Sequence, residues 1–174
     1  LMEVADAVVL LTPEYAQELR AGLGRSYRSE MVHVIPNGID TGFFRPKVDK
    51  RLGELPMRIG MAARFSGTKR QDLLVGALHE LVLQDGPGSW RLSLAGDGET
   101  RAQVERLVDQ YGASEWVDLP GFLKGEELRD WFQSLDLYAH ASEGETLSTS
   151  LIQAMATGLP IVGSNVEGLR NLLS

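Results

Sequence analysis

SEGETLSTSLIQAMATGLPIVG, residues 142–163, holds in one short cassette a polar loop with two carboxylates, a helix start and a return into a strand. The run before it, LDLYAHA at 135–141, is apolar and of strand length, so the break at 142–146 reads as the loop beyond that strand's C-terminal end. Ser148 or Thr149 can cap a helix whose apolar positions Leu151, Ile152, Met155 and Ala156 fall on one stripe. Gly158 ends the helix, Pro160 follows it, and 159–163 resumes as a strand. Such a helix points free backbone N–H groups and the positive end of its dipole at the loop, which favours an anion such as phosphate. Carboxylates there would repel phosphate but accept hydrogen bonds from sugar hydroxyls. Together the two features suit a sugar attached to a diphosphate.

Working outward, strand-length apolar runs recur at 7–11, 32–35, 57–62, 91–95, 116–119, 135–141 and 159–163. Most are separated by helix-like patterns at 13–23, 71–84, 100–111, 126–134 and 148–157. The alternation predicts an α/β fold with a parallel, doubly wound, Rossmann-like sheet, in which ligands bind beyond the carboxyl ends of the strands. A chain of 174 residues is long enough to bury a genuine core. Its net charge of −7 argues against a nucleic-acid partner held by phosphate neutralisation. No apolar run approaches membrane-spanning length. The absence of cysteine rules out disulfides and thiolate metal sites and fits a reducing, cytoplasmic compartment.

Three further segments carry candidate chemistry. In GMAARFSGTKRQ, residues 60–71, Arg64 and Lys69 lie at a strand end and in the following loop, where two cations could neutralise a diphosphate and its departing charge; the alternative is a solvated basic loop. Gly96 and Gly98 flank Asp97 in a strand-to-helix turn that either approaches a ligand or simply needs positive φ. It lacks the third glycine of a dinucleotide fingerprint. In DLPGFLK, residues 118–124, Phe122 taken by itself reads as core. None of the three histidines has metal-ligand spacing; His140, beside the cassette, either faces the site or is a satisfied, partly buried side chain. Ser148, Thr149 and Ser150 have no nearby histidine and acid partners, so they read as caps, and Trp90, Trp116 and Trp131 as packing residues.

The cassette resembles the Glu-x7-Glu region of retaining, group 1 glycosyl transferases of the GT-B fold, E-G-x6-E-A-M-A-x-G-x-P-V-V. Both Glu143 and Glu145 could be the first acid, but only Glu145 keeps the eight-residue step to the second, where this chain has Gln153. The basic loop is similar to the family's G-R-x4-K-G, with Ala63 and Arg70 in place of its glycines, and VIPNGIDTGFFRP at 34–46 resembles its interdomain segment. The resemblance implies one half of a GT-B fold. Residues 1–35 are expected to be the tail of a missing N-terminal acceptor domain with an interdomain strand, and 36–174 a nucleotide-sugar donor domain truncated at its C-terminus. It implies Arg64, Lys69 and Glu145 as catalytic residues, and Gly96, Gly98, Phe122, Leu123, Gly144, Thr146, Leu147, Ser148 and Gln153 as donor-binding ones. Within that set Glu145 accepts from the sugar, Gln153 takes the ribose, and the backbone at 146–148 meets phosphate or sugar.

By the same resemblance the substrates are a nucleoside-diphosphate sugar and a hydroxyl acceptor, with no cofactor and no metal. The setting is polysaccharide or glycolipid synthesis at the cytoplasmic side, with membrane contact through the missing domain. Two other classes share these residues: a non-catalytic nucleotide-sugar sensor, which Gln153 favours, and a GT-B epimerase or phosphorylase.

Overall fold

The computed structural model describes residues 4–48 and 54–173. A first unit comprises β1 (Val8–Leu10), α1 (Pro13–Leu23) and β2 (Val32–Val34), whose strands pair in parallel with each other and with no other strand. Thr12 caps α1 by accepting the Tyr15 N–H. No residue of α1 is buried, and Val9 and Ile35 are each 56% exposed.

The rest of the chain alternates strand and helix: β3 (Met57–Ala62), α2 (Gln71–Asp85), β4 (Trp90–Ala95), α3 (Arg101–Gln110), β5 (Val117–Gly121), α4 (Gly125–Ser134), β6 (Leu137–His140), α5 (Thr149–Ala156), β7 (Ile161–Gly163) and α6 (Glu167–Leu173). The strands form one parallel sheet in the order β5-β4-β3-β6-β7. This is the doubly wound sheet expected from the alternation. Its order reverses between β3 and β6, so their carboxyl ends open a crevice at the switch point.

Each face has its own core. Ile59, Met61, Leu92 and Leu94 project to one side, where Val75, Leu78 and Val82 of α2 and Val104 and Val108 of α3 cover them at helical spacing. On the other, Tyr138 and Ala95 pack against Trp131 and Phe132 of α4, Leu151 and Ala154 of α5, and Leu169 of α6. The stripe expected on α5 is rotated. Leu151 and Ala154 are buried while Met155 is 44% exposed, because the small Ala154 lets the helix settle on that side. Element ends otherwise shift by a residue or two, as hydrogen bonding rather than composition closes each end. Of the expected division into 1–35 and 36–174, residues 1–3, 49–53 and 174 lie outside the described residues.

Candidate functional site

The loop after β3 is zipped to the loop after β6. Arg70 N–H donates to the Ala141 carbonyl at 3.1 Å, Glu143 N–H to the Thr68 carbonyl at 2.9 Å, and Lys69 and Ser142 form an antiparallel bridge. That lacing brings the basic loop and the acidic cassette face to face. It also separates the two candidate acids. Glu143 is turned to Arg70 at 2.6 Å, and Arg70 is held more basic than usual by its hydrogen bonds to Asp72 and then to Glu143. Glu145 instead lies inward, its Oε1 receiving both Lys69 Nζ and His140 Nε2, the latter at 2.6 Å. Burial works against its charge, but the hydrogen bonds and charges of His140 and Lys69 outweigh burial and hold the carboxyl below its usual range.

A cleft of about 420 Å³ opens over the carboxyl ends of β3, β4 and β5; Lys69 and Glu145 do not line it, Lys69 facing a separate cavity with Arg70 and Glu143, and Glu145 one with Tyr15 and Gly168. Five expected residues, from four separate loops or helices, line it: Arg64, Gly96, Phe122, Leu123 and Gln153. Phe122 is not core: it is 77% exposed at the cleft. Arg64 is 75% exposed on its side chain and, among the described residues, pairs only with the exposed Glu99 at 3.1 Å, a contact weak enough to yield to a ligand. Lys69 differs, being largely enclosed with Glu145.

Gly98 does not line the cleft. A Cβ there would stand 2.2 Å from the Phe65 carbonyl oxygen, and one on Gly96 would stand 2.0 Å from that of Ala63. With φ of 139° and 151°, both positions let the β4–α3 turn lie against the loop after β3. Ser148 is the N-cap of α5, its Oγ accepting from Leu151 N–H at 3.3 Å. The N–H groups of Thr146, Leu147 and Ser148 take no backbone acceptor among the described residues. Gly144 N–H is drawn to Ser142 Oγ at 3.3 Å, within the cassette's own turn. Thr146 and Leu147 face the first unit and the segment after it: Tyr15 donates to the Thr146 hydroxyl at 3.4 Å, and Asn37 to the Leu147 carbonyl at 3.5 Å and the Thr149 hydroxyl at 3.1 Å.

Sequence reasoning passed over several members of the site. Gln71 is buried and donates to the Arg64 carbonyl at 3.0 Å, fixing the strand end that carries Arg64. Tyr138 and Ser150 join His140 in one hydrogen-bonded group. The signal was the alternation in LDLYAHA, which sets Tyr138 and His140 on one face of β6. Among the described residues no three His, Asp or Glu side chains are grouped to hold a metal ion, and no helix is long and apolar enough to cross a membrane.

The sequence profile of glycosyl transferases group 1 matches residues 56–174. Among curated relatives, the D-inositol 3-phosphate glycosyltransferase of Xylanimonas cellulosilytica is 31% identical, with 97% of this chain covering 43% of that protein. The 2-deoxystreptamine glucosyltransferase of Streptomyces kanamyceticus is 29% identical, covering 95% and 44%. Among solved structures, Anabaena HepE in complex with UDP-glucose superposes with a TM-score of 0.78 at 22% identity, covering 98% of this chain and 48% of that one. The pneumococcal O-GlcNAc transferase GtfA, in complex with UDP and GlcNAc, gives 0.79 at 21%, covering 95% and 31%. The chain thus spans less than half the length of these proteins.

Proposed function

Since the chain belongs to the group 1 glycosyl transferases, we propose that residues 36–174 bind the nucleoside-diphosphate sugar of a retaining transfer to a hydroxyl acceptor, in polysaccharide or glycolipid synthesis. Residues 1–35 are then the end of an acceptor-binding domain, through which any contact with a cytoplasmic membrane face would run. The observation that carries this reading is the convergence of Arg64, Gly96, Phe122, Leu123 and Gln153 on one cleft at the switch point, with Glu145 and Lys69 paired across the laced loops after β3 and β6. The base lies against Phe122 and Leu123, the ribose against Gln153. The diphosphate meets Arg64 and the N–H groups at 146–148, and the sugar meets Glu145.

Chemically, the bond between the anomeric carbon and the diphosphate oxygen breaks, the acceptor hydroxyl oxygen bonds to that carbon on the same face and yields its proton to the departing diphosphate, and negative charge grows on that diphosphate as it leaves. Arg64, Lys69 and the start of α5 stabilise that charge. Neither metal nor cofactor enters the reading. Calorimetric titration of nucleoside diphosphates, with Arg64→Ala and Lys69→Ala as controls, tests it. Weaker binding by both variants is expected, and equal binding by all three proteins would remove the diphosphate assignment.

Gln153 favours a second reading, a nucleotide-sugar sensor, because a neutral amide gives the ribose weaker hydrogen bonds than a carboxylate. Replacing Gln153 by Glu adds about 1 kcal/mol, the difference between charged and neutral partners. Nucleotide should then bind about fivefold more tightly; unchanged affinity would mean that the ribose lies elsewhere. Turnover by the full-length protein separates enzyme from sensor, and a donor screen separates transfer from epimerisation or phosphorolysis.

A further inference from the structure

Resting on the donor reading above, we infer that His140, its ring held in place by Tyr138, is a positioning residue that fixes which oxygen of Glu145 meets the donor sugar. His140 is 1% exposed, at the carboxyl end of β6. Its Nε2 lies 2.6 Å from Glu145 Oε1, and its Nδ1 lies 3.1 Å from the Tyr138 hydroxyl. A carboxylate oxygen can only accept, so the short contact requires the proton on Nε2. Nδ1 faces the Tyr138 hydroxyl, which burial keeps protonated and whose one proton goes to Ser150 Oγ.

Lys69 and His140 converge on the same oxygen of Glu145, and Oε2 takes no hydrogen bond among the described residues. Of those two donors, only the lysine is free to leave. Its flexible ammonium is the cation that a diphosphate would draw off, and once it moves, His140 alone keeps the carboxylate from rotating. The imidazole cannot follow, because Tyr138 ties its far side to Ser150 at 2.9 Å, and Ser150 to the cap residue Ser148 at 3.2 Å. One buried chain of hydrogen bonds therefore sets both the sugar acceptor and the helix start that faces phosphate. This arrangement predicts a split: removing the imidazole N–H costs affinity for the sugar portion and leaves the nucleoside-diphosphate portion untouched.

The test compares UDP with UDP-glucose, and GDP with GDP-mannose, by calorimetry on the wild-type chain and on His140→Phe and His140→Gln. Nitrogen-15 NMR of the wild-type imidazole accompanies it. His140→Phe should weaken the sugar-bearing ligand about tenfold, the loss of one hydrogen bond to a charged group, and leave the diphosphate unchanged. His140→Gln, whose amide can still donate, should restore most of that loss, and the NMR should show the proton on Nε2. Equal weakening of both ligands, no weakening of either, or a proton on Nδ1 instead of Nε2 would overturn the positioning role. If the wild type binds none of the four ligands, the donor reading falls together with the inference. Binding by the wild type with no split in the variants removes the inference alone. Should His140→Phe fail to fold, the glutamine variant and the NMR of the wild type still decide.

Discussion

Glu145 is where the sequence carried least information about what the residue does. Its distance from Gln153 selects it over Glu143, yet of its two partners, His140 at the end of β6 and Lys69 in a loop 76 residues away, the second is encoded by no local pattern. Arg70 is the counterpart. It stands where the family has a glycine, and it draws Glu143 outward, leaving the inner place to Glu145. The inner pair has a measurable cost when broken. Glu145→Gln keeps the shape but leaves the Lys69 ammonium enclosed without its counter-charge, which should cost about 3 kcal/mol in urea denaturation at pH 7. The Glu145 carboxyl titrates below its ordinary 4.5 in the folded chain. Its contribution is therefore complete above that value and is lost as pH falls through the lower folded one. The gap between wild type and variant should close over that acidic window; a gap independent of pH would mean that charge is not what the pair contributes.

At the scale of elements, the strand and helix alternation was readable because each element follows one period of burial. Val75, Leu78 and Val82 on α2 and the strictly alternating Leu92 and Leu94 on β4 are examples. Less readable was how closely elements approach, since that depends on absent atoms. Gly96 and Gly98 were legible as a turn, but not as the place where two backbones touch. Gly168 went unread altogether. It opens α6 directly against the cassette, and a Cβ on it would stand 2.2 Å from the Glu145 carbonyl oxygen and 2.4 Å from that of Thr146. Those atoms are backbone, so no side chain can move aside to relieve the clash. Gly168→Ala should lower stability by about 1–3 kcal/mol in thermal melting, as overpacking does. It should also displace the loop that carries Glu145, weakening UDP-glucose more than UDP. An unaltered melting temperature would mean that α6 is not seated on the loop.

On the scale of the whole molecule, burial is distributed unevenly, and that asymmetry bears on the division at residue 35. Strands β3 and β4 lie inside a five-stranded sheet covered on both faces, and Ile59, Met61, Leu92 and Leu94 are all buried. Strands β1 and β2 have three residues each, pair only with one another, and lean on a helix that buries no residue. What ties the first unit and the segment after it to the donor cassette includes a few polar contacts, Tyr15 to Thr146 and Asn37 to Thr149. Contacts of this kind break without disturbing a core, so the unit should open by itself while the larger sheet stays closed. Hydrogen exchange followed by mass spectrometry reads this directly. Amides of β3 and β4 should exchange only with global unfolding, and those of β1 and β2 at least about a hundredfold faster, through local opening. Equal protection in both sheets would show one cooperative unit and would put the boundary of the donor-binding domain before residue 35, not at it.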